Sequence, residues 1–444
     1  MRSVPVVPLL MFLTLCCQRS QGEEIGKKAF EKVLRRMRIE HLYKPPKIYA
    51  YEELWTLFAS FENVSVHDCA ILDNRWYGEE FLRYYQLMKH FGTDKPEEAD
   101  WFIIPHRAQC LIWMMCELKG GHSWNYAGGV LEGYLKPLLT WVMEERPYFS
   151  RKNGSDHLIF FTQDHSWSIY NSRWLEQVLH NCIKLQLVGE HLPNRSPPWF
   201  NAKRDIVIPT SHLRLHLSFT NSTEHEPYPQ HHLQQQQPPP PQLPQLPQPP
   251  QHLPLRTAAP AQGPPLMCFH GLIEIPGATQ YSHRVRQTLQ EMARNDTRLL
   301  VGEGHFSNYE EILQECRFVL CPLGFAVWSA RMVDTILQGS IPVIIADGIE
   351  PPFRRFLDWR KFSCKLMEAA VLNKTNFVDS FQELAANAPR YQAKIEAVKE
   401  VAPLFSYFHY APHMIVLELW WRNYSSRGAI KLPLFPIISR ENYL

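Results

Sequence analysis

The sequence predicts an α/β protein with two doubly wound parallel sheets. The first observation is a strand, glycine turn, helix, glycine and strand in residues 316–346. The second strand of this unit, residues 341–346 (IPVIIA), is apolar throughout, as is typical of a parallel strand buried on both faces. The second observation is a similar alternation of apolar runs and amphipathic helices in residues 48–209. The third is a Gln/Pro-rich stretch that separates the two halves.

The first 22 residues have the pattern of a secretory signal. Arg2 precedes an apolar run at residues 4–17, and the small residues Ser20 and Gly22 follow it, so we expect cleavage after Gly22. The run is shorter than the ~20 residues that span a bilayer, and a short signal anchor is the alternative. We therefore expect a location in the Golgi or ER lumen, or a secreted form.

N-glycosylation sequons and cysteines support the same compartment. Eight cysteines follow the leader, and in an oxidising lumen we expect some of them to pair. The chain has no pair of CxxC motifs, which argues against a zinc site. The seven N-x-S/T sequons are at Asn63, Asn153, Asn194, Asn221, Asn295, Asn373 and Asn423.

Composition limits the classes of function. With 45% hydrophobic residues and a formal charge of +2 over 444 residues, the chain can bury two cores and has no electrostatic case for nucleic acid. The many aromatic residues suit sugar stacking, although we expect any single one of them to belong to the core.

The N-terminal domain is predicted at residues 45–220. Two of its strands end in polar residues: His106 follows the second, and Gln163, Asp164 and His165 follow the third. The predicted strands cover residues 48–51, 99–105, 156–162, 183–188 and 205–209, and the predicted helices cover residues 79–91 and 128–145.

Residues 224–265 form a Gln/Pro-rich segment that cannot bury enough apolar surface to order itself. We interpret it as a disordered linker or insertion without chemistry. The alternative is a proline-recognition tract, since such tracts bind aromatic grooves.

The C-terminal domain is predicted at residues 266–400, followed by a helical segment at residues 401–444. The apolar patch at residues 417–421 (LELWW) is expected to pack across the domain boundary. The predicted strands cover residues 267–273, 298–301, 317–321 and 341–346, and the predicted helices cover residues 281–294, 309–315 and 327–337.

Polar residues around the last predicted helix suggest an anion site. We expect Ser329 and Arg331 in its first turn, after Gly324, where backbone N–H groups and the guanidinium would meet phosphate. Asp347 and Glu350 follow the next strand, and Glu350 could accept hydrogen bonds from sugar hydroxyls. The alternative is a solvated helix face with an ion pair between Arg331 and Asp334.

The same stretch resembles the C-terminal signature of the exostosin-like glycosyltransferases. Residues 48–54, 97–110, 147–166 and 204–209 resemble the N-terminal half of that family. The motif residues that carry the resemblance are Cys321-Pro322, Gly324, Ser329, Arg331, Asp334, Gly339, Ile341-Pro342-Val343-Ile344, Asp347, Pro352-Phe353, Leu357-Asp358-Trp359 and Phe362-Ser363.

The resemblance implies a GT-B fold, in which two Rossmann-type domains face each other across a cleft. It also implies an inverting transfer from a nucleotide sugar bound in the C-terminal half. Arg286, at the start of a helix in this half, is a second candidate phosphate contact, and a solvated face is its alternative. The chain departs from the family at Leu323, where many members have a basic residue, and at Asp164-His165, where the family usually has a His-Asp pair.

An inverting transfer needs a base that removes the proton of the acceptor hydroxyl. Asp164 and His165 are the candidates, not separated by the sequence, and His106 is a third. For each, the alternative is a loop residue that satisfies nearby backbone groups. No D-x-D motif occurs, which favours a metal-independent site without a cofactor other than the nucleotide sugar as co-substrate.

Three interpretations follow. The first is a lumenal inverting glycosyltransferase that uses a UDP-sugar on a glycan acceptor, in polysaccharide or proteoglycan biosynthesis. The second is a catalytically silent subunit that stabilises an active partner transferase. The third is a secreted carbohydrate-binding protein.

Overall fold

The computed structural model describes residues 6–62, 64–65, 79–191, 200–210, 265–275, 277–304, 308–374, 376–425 and 442–444. Within these residues the chain forms two five-stranded sheets and one two-stranded sheet, with helices between the strands. The predicted α/β fold is confirmed.

The first sheet belongs to the N-terminal half, and its strands are all parallel, in the order β1-β4-β5-β6-β7. The short strands β2 and β3 pair with each other in antiparallel fashion. The strands of this half are β1 (Ile48–Ala50), β2 (Ser60–Phe61), β3 (Val64–Ser65), β4 (Trp101–Ile104), β5 (His157–Phe161), β6 (Ile183–Gln186) and β7 (Ile206–Val207). The helices are α1 (Val6–Met37), α2 (Leu54–Leu57), α3 (Glu79–Phe91), α4 (Ala108–Lys119), α5 (Ser123–Val130), α6 (Lys136–Glu145), α7 (Pro147–Arg151) and α8 (Arg173–Val178), with a π-helical turn at Leu131–Leu135 and 3₁₀ turns at Pro96–Glu98 and Ser166–Tyr170.

The second sheet belongs to the C-terminal half and is also parallel, in the order β12-β11-β10-β8-β9. Its strands are β8 (Met267–Gly271), β9 (Leu299–Glu303), β10 (Phe318–Pro322), β11 (Ile341–Ile345) and β12 (Cys364–Leu366). The helices are α9 (Val285–Ala293), α10 (Tyr309–Glu315), α11 (Arg331–Leu337), α12 (Glu368–Leu372), α13 (Phe377–Ala386), α14 (Ala388–Val401) and α15 (Ala411–Ser425), with 3₁₀ turns at Trp359–Lys361 and Ala402–Phe405.

The order of the second sheet reverses between β8 and β10. The chain passes from β8 outwards to β9 and then returns to the other side of β8 to form β10, β11 and β12. In open α/β sheets such a reversal leaves a crevice beyond the carboxyl ends of the two strands, which is the usual place for a ligand. In the first sheet the described strands follow one another in chain order.

Both faces of the first sheet are buried, as its apolar strands require. Along β4, Phe102 and Ile104 enter a core formed with the helices of the N-terminal half, whereas Trp101 and Ile103 enter a larger core that continues into the C-terminal half. The two halves therefore share apolar packing in addition to facing each other across a cleft.

Helices from both ends of the chain cross this boundary. Ala29, Phe30 and Val33 of α1 are buried in the shared core, and Lys32 pairs with Glu400 of α14. On α15, the predicted apolar patch is buried, and Arg422 donates to the carbonyl of Arg204 at 2.6 Å. The expectation that this patch packs across the boundary is confirmed.

Several predicted bounds are wrong, each for a physical reason. The helix predicted at residues 327–337 begins only at Arg331. Val327 and Trp328 are buried in the preceding loop, so they are apolar because of their burial and not because they belong to a helix. The helix predicted at residues 281–294 begins at Val285, after three left-handed residues. Helix α4 is almost entirely apolar and therefore lacks the amphipathic period that predicts helices.

A disulfide joins β8 to the segment just before β10, its neighbouring strand in the second sheet. Cys268 of β8 and Cys316, just before β10, are bonded with their Cα atoms 6.0 Å apart. Cys110 is also disulfide-bonded. The expectation that some cysteines pair is confirmed, while Cys116, Cys182, Cys321 and Cys364 are buried thiols.

The predicted linker lies outside the described residues except for residue 265, whereas the predicted leader is described from Val6 onward. Residues 1–5 and 211–264 are not described, and α1 continues through Gly22, the predicted cleavage site. Within the described residues, no helix is long and apolar enough to cross a membrane.

The sequons differ in exposure. Asn153, Asn295 and Asn373 are exposed, and Asn423 is half-buried on α15. Asn63, Asn194 and Asn221 lie outside the described residues.

Candidate active site

The candidate base Asp164 lies in the loop after β5 and faces the C-terminal half. The Trp328 indole donates a hydrogen bond to its carboxyl group, and the Arg286 guanidinium lies close enough to act on its charge. Trp328 and Arg286 both come from the other half of the chain. Asp164 is therefore on the wall of the cleft between the two sheets.

The environment of Asp164 favours its protonated form. Burial raises the pKa of this carboxyl to about 6, while the hydrogen bond from Trp328 and the charge of Arg286 act in the opposite direction. A carboxylate with a pKa near the working pH can both accept a proton and release it again, which suits a general base.

His165 is half-buried beside Asp164 and contacts aromatic rings on both sides. Its ring lies 4.7 Å from that of Trp124 and 6.4 Å from that of Phe325, measured between centroids. The two candidates therefore have different surroundings: Asp164 bonds to the C-terminal half, and His165 packs between rings.

His106, the third candidate, is committed to the N-terminal half. Its Nε2 group donates to the Phe160 carbonyl at 2.7 Å, and its Nδ1 atom accepts from the Ala108 N–H group at 3.2 Å. Burial lowers the pKa of His106 to about 4. With both ring nitrogens in use, His106 fixes the ends of β4 and β5 relative to each other.

Arg286 fills the crevice at the point where the second sheet reverses. Its guanidinium donates to the Leu272 carbonyl beyond β8 and to the Leu323 carbonyl beyond β10, at 2.8 and 2.9 Å, and to the Pro322 carbonyl at 3.3 Å. It also donates to the Tyr281 hydroxyl. Burial lowers the pKa of Arg286 to about 10, so the group remains a cation at neutral pH.

Gly324 lies against this arginine and anchors a strained turn. An added Cβ at Gly324 would come within 3.4 Å of an Arg286 nitrogen, and the Gly324 carbonyl accepts from the Ser282 N–H group at 2.9 Å. Ser282, His283 and Arg284 all have positive φ angles, of 53°, 47° and 67°. Left-handed non-glycine residues cost about 1–3 kcal/mol each and concentrate at functional sites.

Asp347 is tied to the same turn through Glu368. The Asp347 N–H group donates to the Glu368 carboxylate at 2.7 Å, and the Glu368 N–H group donates to the Asp347 carboxylate at 3.1 Å. The Glu368 carboxylate also lies 2.9 Å from Nδ1 of His283. Asp347 thus helps to hold the strained turn in front of α9.

Arg331 lies behind β8. Its guanidinium carbon is 4.5 Å from the centroid of the Phe269 ring, and one terminal nitrogen donates to the His270 carbonyl. Its Nε atom is buried and has no hydrogen-bond partner among the described residues. Ser329 is half-buried two residues before Arg331, in the loop rather than in the helix as predicted.

Glu350 is at the contact between the two halves. Its carboxylate lies 2.7 Å from Nε2 of His191, which follows β6, and accepts from Nε of Arg354 at 2.7 Å. Its N–H group donates to the Gly189 carbonyl at 2.8 Å. Burial acts to raise the pKa of Glu350, but the bonds with His191 and Arg354 outweigh it, so the pKa is lowered.

The structure brings Asp164, His165, Gly324 and Arg286 to one cleft. Arg331 and Asp347 lie outside that cleft: Arg331 contacts β8, and Asp347 contacts Glu368. Glu350 binds residues of both halves. Sequence reasoning missed three contributors, Trp328, Tyr281 and Glu368. Trp328 and Tyr281 stood inside predicted helices, at residues 327–337 and 281–294, and no sequence signal indicated their place in the site.

No group of three or more His, Cys, Asp or Glu side chains in the described part of the chain is arranged to hold a metal ion. The metal independence of the site stays a prediction.

Curated plant proteins are similar to this chain over most of its length. A probable glucuronosyltransferase of Oryza sativa subsp. japonica is 24% identical over 337 residues, which are 72% of this chain and 67% of that protein. A probable glucuronosyltransferase of Physcomitrium patens is 26% identical over 300 residues, 66% of this chain and 57% of that protein. A probable glucuronoxylan glucuronosyltransferase of Arabidopsis thaliana is 25% identical over 344 residues, 75% of this chain and 63% of that protein.

Solved structures show only a distant likeness. A spinosyn rhamnosyltransferase with bound spinosyn aglycone is 12% identical and covers 84% of this chain and 100% of its own, with a TM-score of 0.32. The crystal structure of TarM is 11% identical and covers 65% of this chain and 58% of its own, with a TM-score of 0.30. The assignment of the fold therefore rests on the two parallel sheets of this chain.

The family assignment rests on a match along most of the chain. The model of the exostosin GT47 domain matches residues 42–381, which include every described strand from β1 to β12 and all the site residues discussed above. The chain belongs to the exostosin GT47 family and is a glycosyltransferase.

Proposed function

We propose that the protein is an inverting glycosyltransferase that transfers a sugar from a UDP-sugar to a glycan acceptor, with Asp164 as general base. The observation that carries this proposal is the position of Asp164, whose carboxyl group meets Trp328 and Arg286 across the cleft. Its raised pKa, about 6, suits proton transfer near neutral pH.

In this mechanism Asp164 accepts the proton of the acceptor hydroxyl as the hydroxyl oxygen attacks the anomeric carbon. The new glycosidic bond forms on the face opposite the leaving nucleotide, while the bond from the anomeric carbon to the phosphate oxygen breaks. Configuration at that carbon is therefore inverted, and UDP leaves with the bonding electrons. The Asp164 proton is then released to solvent.

The leaving diphosphate needs positive charge on the C-terminal side. Arg286 supplies a buried cation at the crevice between β8 and β10, where ligands of open α/β sheets bind. Carbonyl groups of both strand ends hold the guanidinium in place, so that little reorganisation is needed when charge develops.

We propose that the other residues predicted to contact the donor have supporting roles. Gly324 lets the loop after β10 approach Arg286, and Asp347 orients the turn in front of α9 through Glu368. Ser329 and Arg331 stay proposed contacts at the far side of that loop. Glu350, whose carboxylate already binds His191 and Arg354, is proposed to hold the two halves at the angle that the donor requires.

We also propose that the protein acts in the secretory pathway, in the biosynthesis of a polysaccharide or proteoglycan. The leader pattern and the sequons support this location. The curated relatives are named as probable glucuronosyltransferases, so UDP-glucuronic acid is the first donor to test.

The test is calorimetric titration of the protein with UDP in EDTA, followed by a transfer and hydrolysis assay with UDP-glucuronic acid, UDP-xylose and UDP-galactose. We expect metal-free UDP binding that is at least about tenfold weaker in Arg286→Lys, because lysine cannot make the forked contacts of arginine. Arg294→Ala, at the exposed end of α9, is the matched control and should bind as the wild type does.

Two results would reject this proposal. One is a well-folded wild-type protein that binds neither UDP nor GDP, which would leave the silent partner subunit as the better interpretation. The other is binding without any donor hydrolysis or transfer across the sugar panel.

A further inference from the structure

Two exposed aromatic side chains lie beside the candidate base. Trp124 is 53% exposed and Phe325 is 41% exposed, and they are the Trp and Phe side chains among the exposed large apolar residues of the described chain. An isolated exposed apolar residue needs no explanation, but several at one place indicate a binding surface.

The two rings are members of one row that crosses the cleft. Between centroids, Trp124 lies 4.7 Å from His165, His165 lies 6.4 Å from Phe325, and Phe325 lies 5.0 Å from Tyr281. Trp124 and His165 come from the N-terminal half, and Phe325 and Tyr281 come from the C-terminal half. We name these four side chains the aromatic row.

Each ring is placed by its own element. Trp124 is the second residue of α5, which follows the turn at Gly120 and Gly121, two residues with positive φ angles of 72° and 91°. Helix α5 packs against the 3₁₀ turn that follows His165. Trp124 is therefore presented by a helix that packs against the segment following the candidate base.

The other end of the row is fixed at the donor side. Phe325 follows Gly324 in the loop after β10, and Tyr281 is bound by Arg286. Because Tyr281 is buried, a molecule on the row would lie over Trp124, His165 and Phe325 and would end at the loop after β10.

The chemistry of the row suits a sugar better than a lipid or an apolar peptide. A pyranose has an apolar C–H face that stacks on an aromatic ring and a rim of hydroxyl groups that require hydrogen-bonding partners. Here the two exposed rings flank the polar ring of His165, and the carboxyl group of Asp164 is next to His165 in the chain. A lipid would require a continuous apolar patch without polar groups at its centre.

We propose that the aromatic row is the acceptor subsite and takes an oligosaccharide of at least two pyranose residues. The sugar that is attacked through its hydroxyl lies next to Asp164, and the adjoining sugar stacks on Trp124. Phe325 lies where acceptor and donor meet. This inference rests on the proposed transferase function and adds to it the class of acceptor and the side chains that select it.

The positions of the two exposed rings predict different effects. Trp124 comes from the N-terminal half, and His165 lies between it and the loop after β10, so Trp124→Ala should weaken the binding of acceptor alone. Phe325 follows Gly324 directly, so Phe325→Ala should weaken the binding of acceptor and also lower the rate of transfer. Trp124→Phe should restore most of the acceptor binding, because it keeps an aromatic face.

The test is to titrate the protein, without donor, with xylohexaose, cellohexaose and hexagalacturonic acid. Binding is monitored by tryptophan fluorescence and by calorimetry. We expect at least one hexasaccharide to bind, with affinity reduced about tenfold or more in Trp124→Ala, as for an aromatic residue at the centre of an interface. Leu118→Ala, which alters a side chain 60% exposed at the end of α4, is the matched control and should leave binding unchanged.

The outcomes separate this inference from the proposed function. If Trp124→Ala and Phe325→Ala bind the hexasaccharides as the wild type does, or if the wild type binds none of the three, the acceptor subsite is rejected. UDP binding, measured on the same samples, decides the donor proposal independently. UDP affinity should be unchanged in Trp124→Ala, and a loss there would also contradict the assignment of Trp124 to the acceptor side.

Discussion

The Asp164 carboxyl group in the N-terminal half accepts a hydrogen bond from the Trp328 indole in the C-terminal half. The two residues come from loops beyond different sheets, so the surroundings of the candidate base are complete only when both halves are in place. The same contact places the base opposite Arg286, the buried cation of the second sheet. Five predictions concern this contact and the boundary around it.

Asp164→Asn should abolish most of the transfer activity while it preserves the fold. Asparagine has nearly the same shape and can still accept from Trp328, but it cannot remove a proton. Loss of a general base lowers kcat by about 10²–10⁴-fold. We expect UDP affinity to be unchanged, as measured by calorimetry. Asp94→Asn, at an exposed position, is the control, and equal activity of the two variants would contradict the role of Asp164.

The pH dependence of transfer should follow the same carboxyl group. Because the base must be ionised, kcat should fall as the pH decreases through about 6, the raised pKa of Asp164. A rate that is flat between pH 5 and 8 in a buffer series (roughly the range over which such a group titrates) would contradict this assignment.

Ionised Asp164 is needed for activity, but because its pKa is raised in the folded state, its ionisation lowers the stability of the fold. Unfolding releases Asp164 to its ordinary pKa of about 3.9, so ionisation in the folded state opposes folding above that pH, and the penalty grows as the pH rises through the folded pKa. Asp164→Asn should therefore unfold at a higher temperature than the wild type at neutral pH, and this difference should vanish in acid. Scanning calorimetry across pH measures both parts.

Glu350→Gln should destabilise the contact between the halves. The change removes the charge from the bonds with His191 and Arg354, and hydrogen bonds to charged groups contribute about 1.5–3 kcal/mol. Because the pKa of Glu350 is lowered in the folded state, the stability that it provides is present above the ordinary pKa and is lost as the pH falls.

The measurement compares Glu350→Gln with the wild type in two ways: the free energy of unfolding in denaturant, and the KM for the donor. Unchanged stability with a raised donor KM would show that Glu350 contacts the sugar and would reject its proposed role at the boundary. Lower stability with an unchanged KM is the expected result.

Gly189→Ala should disturb the same boundary through packing. An added Cβ would lie 2.6 Å from the Glu350 Cβ and 2.8 Å from the Glu350 carbonyl oxygen, and it would also contact Val207. Overpacking of this kind costs about 1–3 kcal/mol. The matched control is Gly128→Ala, an exposed site on α5 with no neighbour within 4 Å, which should stabilise by about 0.5–1 kcal/mol. Thermal unfolding of the two variants gives the comparison.

Glycan occupancy should follow exposure at the described sequons. Asn153, Asn295 and Asn373 are exposed and lie at turns or helix ends, whereas Asn423 is half-buried within α15. In protein secreted from animal or plant cells, we expect the first three to carry N-glycans and Asn423 to remain bare. Mass spectrometry after glycan removal in heavy-oxygen water reports occupancy, and a fully occupied Asn423 would contradict the prediction.

Local patterns in the sequence determined most of the fold. The strands of both sheets are short apolar runs bounded by polar or glycine residues, and burial of a parallel strand on both faces requires such runs. The helices α3 and α10 have the predicted bounds, because one polar and one apolar face give the period of a surface helix. The family motifs between Cys321 and Ser363 also identified the C-terminal half.

Only the tertiary structure decided how the site is assembled. The sequence could not separate Asp164 from His165, because they are neighbours in the chain and their difference arises from Trp328 and Arg286, more than a hundred residues away. It also could not show that Glu350 binds His191. Pairings between distant loops depend on how the two halves pack together, and helices α1 and α15 take part in that packing. The local sequence pattern of a strand or helix reflects which of its own residues are buried, but it does not determine how the two halves pack together.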